Sequence, residues 1–340
     1  METSVPDSPL PAIAPVTGPQ DWRGPHVATA TRWRFQLPAG PVDELRRIVD
    51  KASAEGRDQD HFDFQGVEIP GLRDALAPAI QELASGTGMA LVRGIKADFF
   101  DVEAHKIALL IVANQMGLVG PQEHRAKGIS EVMDVSPPEG DRYYFHVGGP
   151  LPMHMDPVDV VGLLCLRKAK EGGTSRIVSS MAVHNEILQT RPDLLALLYR
   201  GFRHRRRQFR ISGGSPVTDH YCPAFADIGG GEVICNFIPA PIRMAVDEGL
   251  MTLTRAEQEA LDIIEAVSER DDFCLEMDLE PGDLQFLNNR ITMHGRADYR
   301  DSGGPEERRL LLRTWLTMPG WRKYPAHLPR VDVELETAPA

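Results

Sequence analysis

Apolar positions along this chain follow two different rhythms, and the rhythm changes after about residue 120. In the front part, Thr31 to Leu37 alternates polar and apolar, which predicts a strand. Val42, Leu45, Ile48 and Val49 then fall on one stripe and predict a helix over 41–54. Leu72, Leu76, Ile80 and Leu83 predict a second helix over 71–85, with Pro78 imposing a kink or a later start. The short apolar run 88–94 predicts a buried strand. A third helix is expected over 102–116, ended by Gly117. Beyond it the elements become short and mostly extended. Val158 to Leu166 reads as a central strand, Gly172-Gly173 as a turn and 175–179 as a strand. Helices return at 181–189 and 191–200, the second opened by Thr190 as cap and Pro192. Residues 232–238 read as a strand, and the capping box Thr254-Arg255-Ala256-Glu257 starts a helix running to 268. The turn Pro281-Gly282-Asp283 precedes two strands, 284–294 and 308–318. Residues 1–28 carry Pro, Ser, Thr and Ala without either rhythm and are expected to form a loose arm.

Many short strands interrupted by helices, with no internal repeat, predict a mainly β protein. The fold expected is a double-stranded β-helix, or jelly roll, flanked by α-helices. Residues 29–340 would be one such domain, its first 120 residues wrapped around the sheets. Composition then removes several function classes. A net charge of −12 leaves no general surface for nucleic acid, which needs an excess of Lys and Arg. No run is long and apolar enough for a membrane span, and no leader is recognisable, so a cytoplasmic protein is expected. The four cysteines form no C-x-x-C pair, and Cys165 lies in an apolar run that suits a buried free thiol. The basic run Arg203 to Arg207 reads as a solvated loop. Contact with an anionic ligand or with a second copy in a homo-oligomer is the alternative.

The candidate chemistry sits in the strand-rich part. His154 and Asp156 are two residues apart, so an extended backbone points both side chains to one side, and Pro152 and Pro157 favour that form. A helix would set them roughly 200° apart. His294 lies far down the chain, at a distance that strands of a jelly roll can close. Two imidazoles and one carboxylate can hold one face of an octahedral iron(II) and leave three positions for a cosubstrate and oxygen. Each piece also has an ordinary reading: a surface H-x-D triplet, and a core histidine bonded to a carbonyl. On the strand after His294, Arg309, Leu311, Arg313 and Trp315 share a face. A buried guanidinium there would need an anion, and its fork fits a carboxylate. A solvated edge strand is the alternative.

In combination these segments resemble the taurine dioxygenase (TauD/TfdA) family of iron(II)/2-oxoglutarate oxygenases. The resemblance rests on His154-Met155-Asp156, Gly172-Gly173-Thr174-Ser175, Pro281-Gly282-Asp283, Asn288-Asn289-Arg290, His294-Gly295-Arg296 and Arg308-Arg309-Leu310-Leu311-Leu312-Arg313, and runs from about 60 to 320. It implies that His154, Asp156 and His294 bind iron. It implies that Arg309 holds the distal carboxylate of 2-oxoglutarate, helped by Ser175 or its neighbour Thr174, and that Arg313 faces the substrate or cosubstrate. Related halogenases lack the carboxylate of Asp156, so oxidation is expected rather than halogenation. The implied reaction turns 2-oxoglutarate and oxygen into succinate and carbon dioxide while oxidising a C–H bond, most simply by hydroxylation. The substrate expected is a small anionic molecule such as an amino acid or carboxylate. Desaturation, cyclisation, epimerisation or mere keto-acid binding would use the same residues. His124, Tyr143, Tyr144, His146, Asn236 and Arg243 are candidates to line a lid or pocket. No G-x-S-x-G, P-loop or H-E-x-x-H occurs, and Gly229-Gly230-Gly231 precedes a strand rather than a helix.

Overall fold

A computed structural model of the chain describes residues 13–122, 128–134, 149–206 and 214–321. Its front part consists of α1 (Gly24–Ala28), β1 (Arg34–Gln36), α2 (Ala39–Ala54), α3 (Pro70–Ser85), β2 (Met89–Arg93) and α4 (Val102–Met116). The strands β3 (Leu118–Val119), β4 (Ile129–Val132), β5 (Leu151–His154), β6 (Val160–Arg167), β7 (Glu171–Gly172) and β8 (Ser175–Ser179) follow. Next come α5 (Ser180–Thr190), α6 (Pro192–Arg200), β9 (Phe225–Asp227), β10 (Val233–Cys235), α7 (Pro239–Asp247) and α8 (Arg255–Ser268). The chain closes with β11 (Leu275–Met277), β12 (Leu284–Asn288), β13 (Thr292–Arg296), β14 (Tyr299–Arg300) and β15 (Leu310–Thr317).

Two sheets carry the architecture. The larger has the order β1-β2-β12-β6-β15-β3, with β4 also paired to β15, and the smaller has the order β11-β8-β13-β5. Every ladder in them is antiparallel except β1 with β2. The two-residue period of a strand sorts its side chains between the faces. Leu164, Leu284, Phe286, Leu310, Leu312 and Leu316 pack outward with α2, α3 and α4. Val178 and Met293 of the smaller sheet pack outward with α5, α6 and α8. Val161, Cys165, Ile177, Leu287, Leu311 and Trp315 meet in a third cluster between the sheets. The layers are therefore helices, large sheet, small sheet, helices, which is the flanked jelly roll expected from the pattern. Each fully buried Leu or Phe contributes about 1.5–3 kcal/mol, so these layers supply most of the drive to fold.

The elements depart from expectation in four places. Residues 13–28 are not a loose arm. Val16 exchanges hydrogen bonds with the Asn185 side chain (2.8 and 2.7 Å), and the buried Trp22 donates its indole N–H to Thr87 O at 2.8 Å. The expected strand 284–294 is two strands in different sheets. Asn288 Oδ1 accepts the Arg290 N–H, a local turn that outcompetes the ladder. Thr190 belongs to α5, bonding Glu186 O, and α6 is opened by Arg191 and Pro192 without a side-chain cap. Gly117 ends α4 in an extended rather than left-handed conformation (φ −167°). A Cβ there would lie 2.9 Å from Thr317 O and Met318 Sδ, so close approach to β15 is what glycine allows. In addition α3 begins at Pro70 and runs through Pro78.

Candidate active site

His154 ends β5 and His294 is the middle residue of β13, and the antiparallel register sets the two opposite one another. Gly295 permits this approach, because a Cβ there would meet Leu151 O at 2.7 Å. The imidazole centroids lie 4.5 Å apart. Just past β5, Asp156 joins them, and ligand atoms of His154, Asp156 and His294 all lie within 4.8 Å of one another. His294 Nε2 is 3.9 Å from Asp156 Oδ2. His154 Nδ1 sits 2.9 Å from Pro152 O, so a proton donated there leaves Nε2 as the lone-pair nitrogen. His294 Nδ1 is buried without a partner, and its ring is held by packing in the ladder.

The electrostatics favour the ligand forms of these groups. Burial pushes the His294 pKa down to about 3, and the neighbouring His154 adds to the effect, so the ring is neutral. For Asp156, burial alone would favour the neutral acid. The charge of Arg313, with the Trp315 hydrogen bond, outweighs it and holds the carboxyl below its ordinary value. Trp315 Nε1 donates to Asp156 Oδ2 at 3.0 Å, and Arg313 Nη1 is 3.9 Å from Oδ1. Asn289 Oδ1 accepts the Asp156 backbone N–H at 3.2 Å. Phe237 O accepts the Met155 N–H. Two imidazoles and a carboxylate converging at this spacing are a donor set that fits iron(II).

Strand β15 carries Arg313, and Arg309 lies immediately before it. The strand is interior, with β6 on one side and β3 and β4 on the other, so the solvated-edge reading does not hold. Arg309 and Arg313 are buried on the face that turns toward the small sheet. Arg309 Nη1 is buried with no hydrogen-bond partner. Burial, with Arg296 close by, pushes its pKa down to about 10, which leaves the guanidinium charged at neutral pH. A buried guanidinium with an open donor fits a carboxylate guest. Gly173 (φ +78°) makes room for it, since a Cβ there would meet Arg309 Nε at 3.2 Å. The two candidate hydroxyls separate clearly. Ser175 is buried and bridges the sheets through Gln285 (3.2–3.3 Å), whereas Thr174 bonds the exposed Asp278 carboxylate at 2.7 Å. Arg313 Nε donates to Gln122 Oε1 at 2.9 Å, and its guanidinium stacks 4.8 Å from the Trp315 ring.

Of the lid and pocket candidates, Asn236 is buried beside the His154–Asp156 segment, next to Phe237. Arg243 is instead paired with Glu265 and Asp262 of α8. His124, Tyr143, Tyr144 and His146 lie outside the described residues, as does Arg207 of the basic run. Arg205 of that run pairs with Glu248 at 2.9 Å, and Arg203 bonds Thr218 O. Sequence reasoning missed Trp315 as a partner of Asp156, as well as Gln122, Gln285 and Tyr299. Trp315 shares a strand face with both arginines, and that parity was the available signal. Gln122 and Gln285 carry none, because their partners are remote in the chain, and Tyr299 carries none because a tyrosine near arginines is common on any surface. All four cysteines are buried and free. Among the described residues, no helix is long and apolar enough to cross a membrane.

Comparison with known proteins agrees with this geometry. Residues 50–315 match the model of the taurine catabolism dioxygenase TauD, TfdA family. The chain is 27% identical over 323 residues to FR-33289 synthase of Streptomyces rubellomurinus, covering 92% of this chain and 94% of that one. It is 24% identical to a taurine hydroxylase-like protein, SAT17, of Stachybotrys chartarum, covering 93% and 85%. Among solved structures, asparagine oxygenase in complex with Fe(II), 3-hydroxyasparagine and succinate superposes with a TM-score of 0.63 at 19% identity, over 84% of this chain and 94% of that one. The non-heme iron oxygenase OrfP in complex with Fe and alpha-ketoglutaric acid gives 0.58 at 13% identity, over 84% and 93%. The chain therefore belongs to the TauD/TfdA family, and with it to the iron(II)- and 2-oxoglutarate-dependent dioxygenases.

Proposed function

We propose that this dioxygenase hydroxylates a C–H bond of a small anionic molecule, an amino acid or a related carboxylate, at the triad formed by His154, Asp156 and His294. His154, Asp156 and His294 would hold iron(II), Arg309 and Ser175 would hold the distal carboxylate of 2-oxoglutarate, and Arg313 would meet the anionic end of the substrate. Iron(II), when bound, supplies the redox chemistry that couples oxidative decarboxylation of 2-oxoglutarate to oxidation of the substrate. The protein's share is placement. Trp315 and Arg313 keep Asp156 ionised, Pro152 O fixes the His154 tautomer, and the apolar cluster between the sheets keeps bulk water out. On this reading residues 29–340 act as one catalytic unit.

The observation that carries the reading is the Arg309 guanidinium, buried in the same interior as the triad with a donor unpartnered. A dicarboxylic keto acid satisfies both ends at once: one chelates the metal, the other meets the arginine. The substrate class is supported by Arg313 beside Asp156 and by the structural relatives, two of which hold hydroxylated amino acids, 3-hydroxyasparagine and (3S)-hydroxy-L-Arg. The test is anaerobic. Iron(II) and 2-oxoglutarate added to the wild type are expected to give the visible charge-transfer band of keto-acid chelation, and His154→Ala is expected to abolish it. An unchanged band in that variant removes the assignment. A screen of amino acids and carboxylates, read by succinate release and a product mass gain of about 16 Da, then tests hydroxylation.

A further inference from the structure

A second group of buried polar atoms lies around Arg309, and the reading above does not use it. Tyr299, in β14, pairs with Gly172 beside the double glycine. Its ring faces two guanidiniums, with Arg296 Cζ 4.6 Å and Arg309 Cζ 5.3 Å from the centroid. Both arginines are buried. The side chains of Tyr299 and Arg309 also abut the same glycine: a Cβ on Gly173 would lie 3.2 Å from Arg309 Nε and 3.4 Å from Tyr299 Cβ. The Tyr299 hydroxyl, like Arg309 Nη1, is buried without a hydrogen-bond partner.

Two unpartnered buried donors on neighbouring side chains are a costly arrangement unless one guest satisfies both. The open donor of the Arg309 guanidinium is best met by a carboxylate, whose geometry matches the planar fork. A carboxylate accepts about four hydrogen bonds, more than Arg309 and Ser175 supply together if the guanidinium engages as a fork. We propose that Tyr299 completes the carboxylate end of the 2-oxoglutarate site, its hydroxyl donating to the distal carboxylate and its ring setting the plane of Arg309. The proposal rests on the assignment of Arg309 made above and adds a residue to it. It also explains why the segment before Ser175 must be glycine: a side chain at 173 would press on Arg309 and Tyr299 together.

The experiment compares two keto acids that chelate alike and differ at the far end. The iron(II)-loaded enzyme is titrated anaerobically with 2-oxoglutarate and with 2-oxobutyrate, which lacks the distal carboxylate, and the chelation band gives both affinities. Tyr299→Phe keeps the ring and removes the hydroxyl. It is expected to weaken 2-oxoglutarate roughly tenfold or more while leaving 2-oxobutyrate within about twofold. Tyr299→Leu, which also removes the ring, is expected to lose more for 2-oxoglutarate, again with 2-oxobutyrate spared. Unchanged affinity for 2-oxoglutarate in Tyr299→Phe overturns the proposal, as does equal weakening of both keto acids, which marks a packing role. A wild type that gives no band with either overturns the metal and keto-acid assignment beneath it, an outcome distinguishable from the other two.

Discussion

At the scale of single residues, the site is governed by what surrounds Asp156. Its carboxylate is buried, and a buried carboxylate stays ionised only if donors and cations hold it. Trp315 Nε1 is the direct donor, at 3.0 Å. Trp315→Phe keeps most of the packing in the cluster between the sheets and removes that hydrogen bond. Iron(II) affinity, measured by anaerobic metal titration, is expected to fall roughly tenfold or more, the usual effect of removing a group that orients a ligand. An unchanged metal affinity would show that Arg313 and the Asn289 contact suffice. The three residues that converge were legible in the sequence, because an i, i+2 pair on extended chain and a histidine ahead of an arginine strand are local patterns. Trp315 was legible only as a strand-mate of the arginines. Tyr299 was not legible, since a tyrosine three residues after Arg296 does not announce that its ring will also meet Arg309.

At the scale of elements, the period of each strand decides which side chains meet the site, and that much follows from alternation. The sorting of Leu310, Leu312 and Leu316 from Leu311 and Trp315 is visible in the sequence of β15. The break between β12 and β13 is not, because an apolar run continuing to His294 looks like one strand. Only the Asx turn at Asn288, with Arg290 bound to Asp159 at 2.6 Å, carries the chain from one sheet to the other. Packing within the large sheet gives a second prediction. Gly162 of β6 lies between Phe286 of β12 and Thr314 of β15. A Cβ there would come within 2.7 Å of the Phe286 ring and 2.9 Å of Thr314 Cγ2, on the face away from the site. Gly162→Ala is expected to lower stability in urea by about 1–3 kcal/mol through overpacking, with the chelation band per folded molecule unchanged. A band lost in parallel with packing would mean that strain in the sheet reaches the metal.

At the scale of the whole molecule, buried groups with shifted pKa values tie stability to pH. His204 is buried after α6, and desolvation, with His220 adding to it, pushes its pKa down to about 4 from the ordinary 6.5. Between those values the unfolded chain binds a proton that the folded chain does not. The contribution of His204 to stability is therefore fully present above pH 6.5 and is lost as the pH falls toward 4, by about 3 kcal/mol over the window. Carboxylates titrate in part of the same range, so the quantity to measure is a difference. The urea midpoint of the wild type, compared with that of His204→Phe from pH 7 to pH 4, is expected to fall more steeply. Parallel curves would place the acid sensitivity elsewhere.

The position of Asp156 has one more consequence. The two imidazoles stand on the small sheet, while the tryptophan and arginine that fix the carboxylate stand on the large one. A metal held by all three would act as a rivet through the two layers. Backbone amides in β13 and β15 share no ladder, yet iron(II) should slow their hydrogen exchange in step, and a chelator should release both together. Local breathing of either layer would then be felt first as a loss of coordination, long before the molecule unfolds.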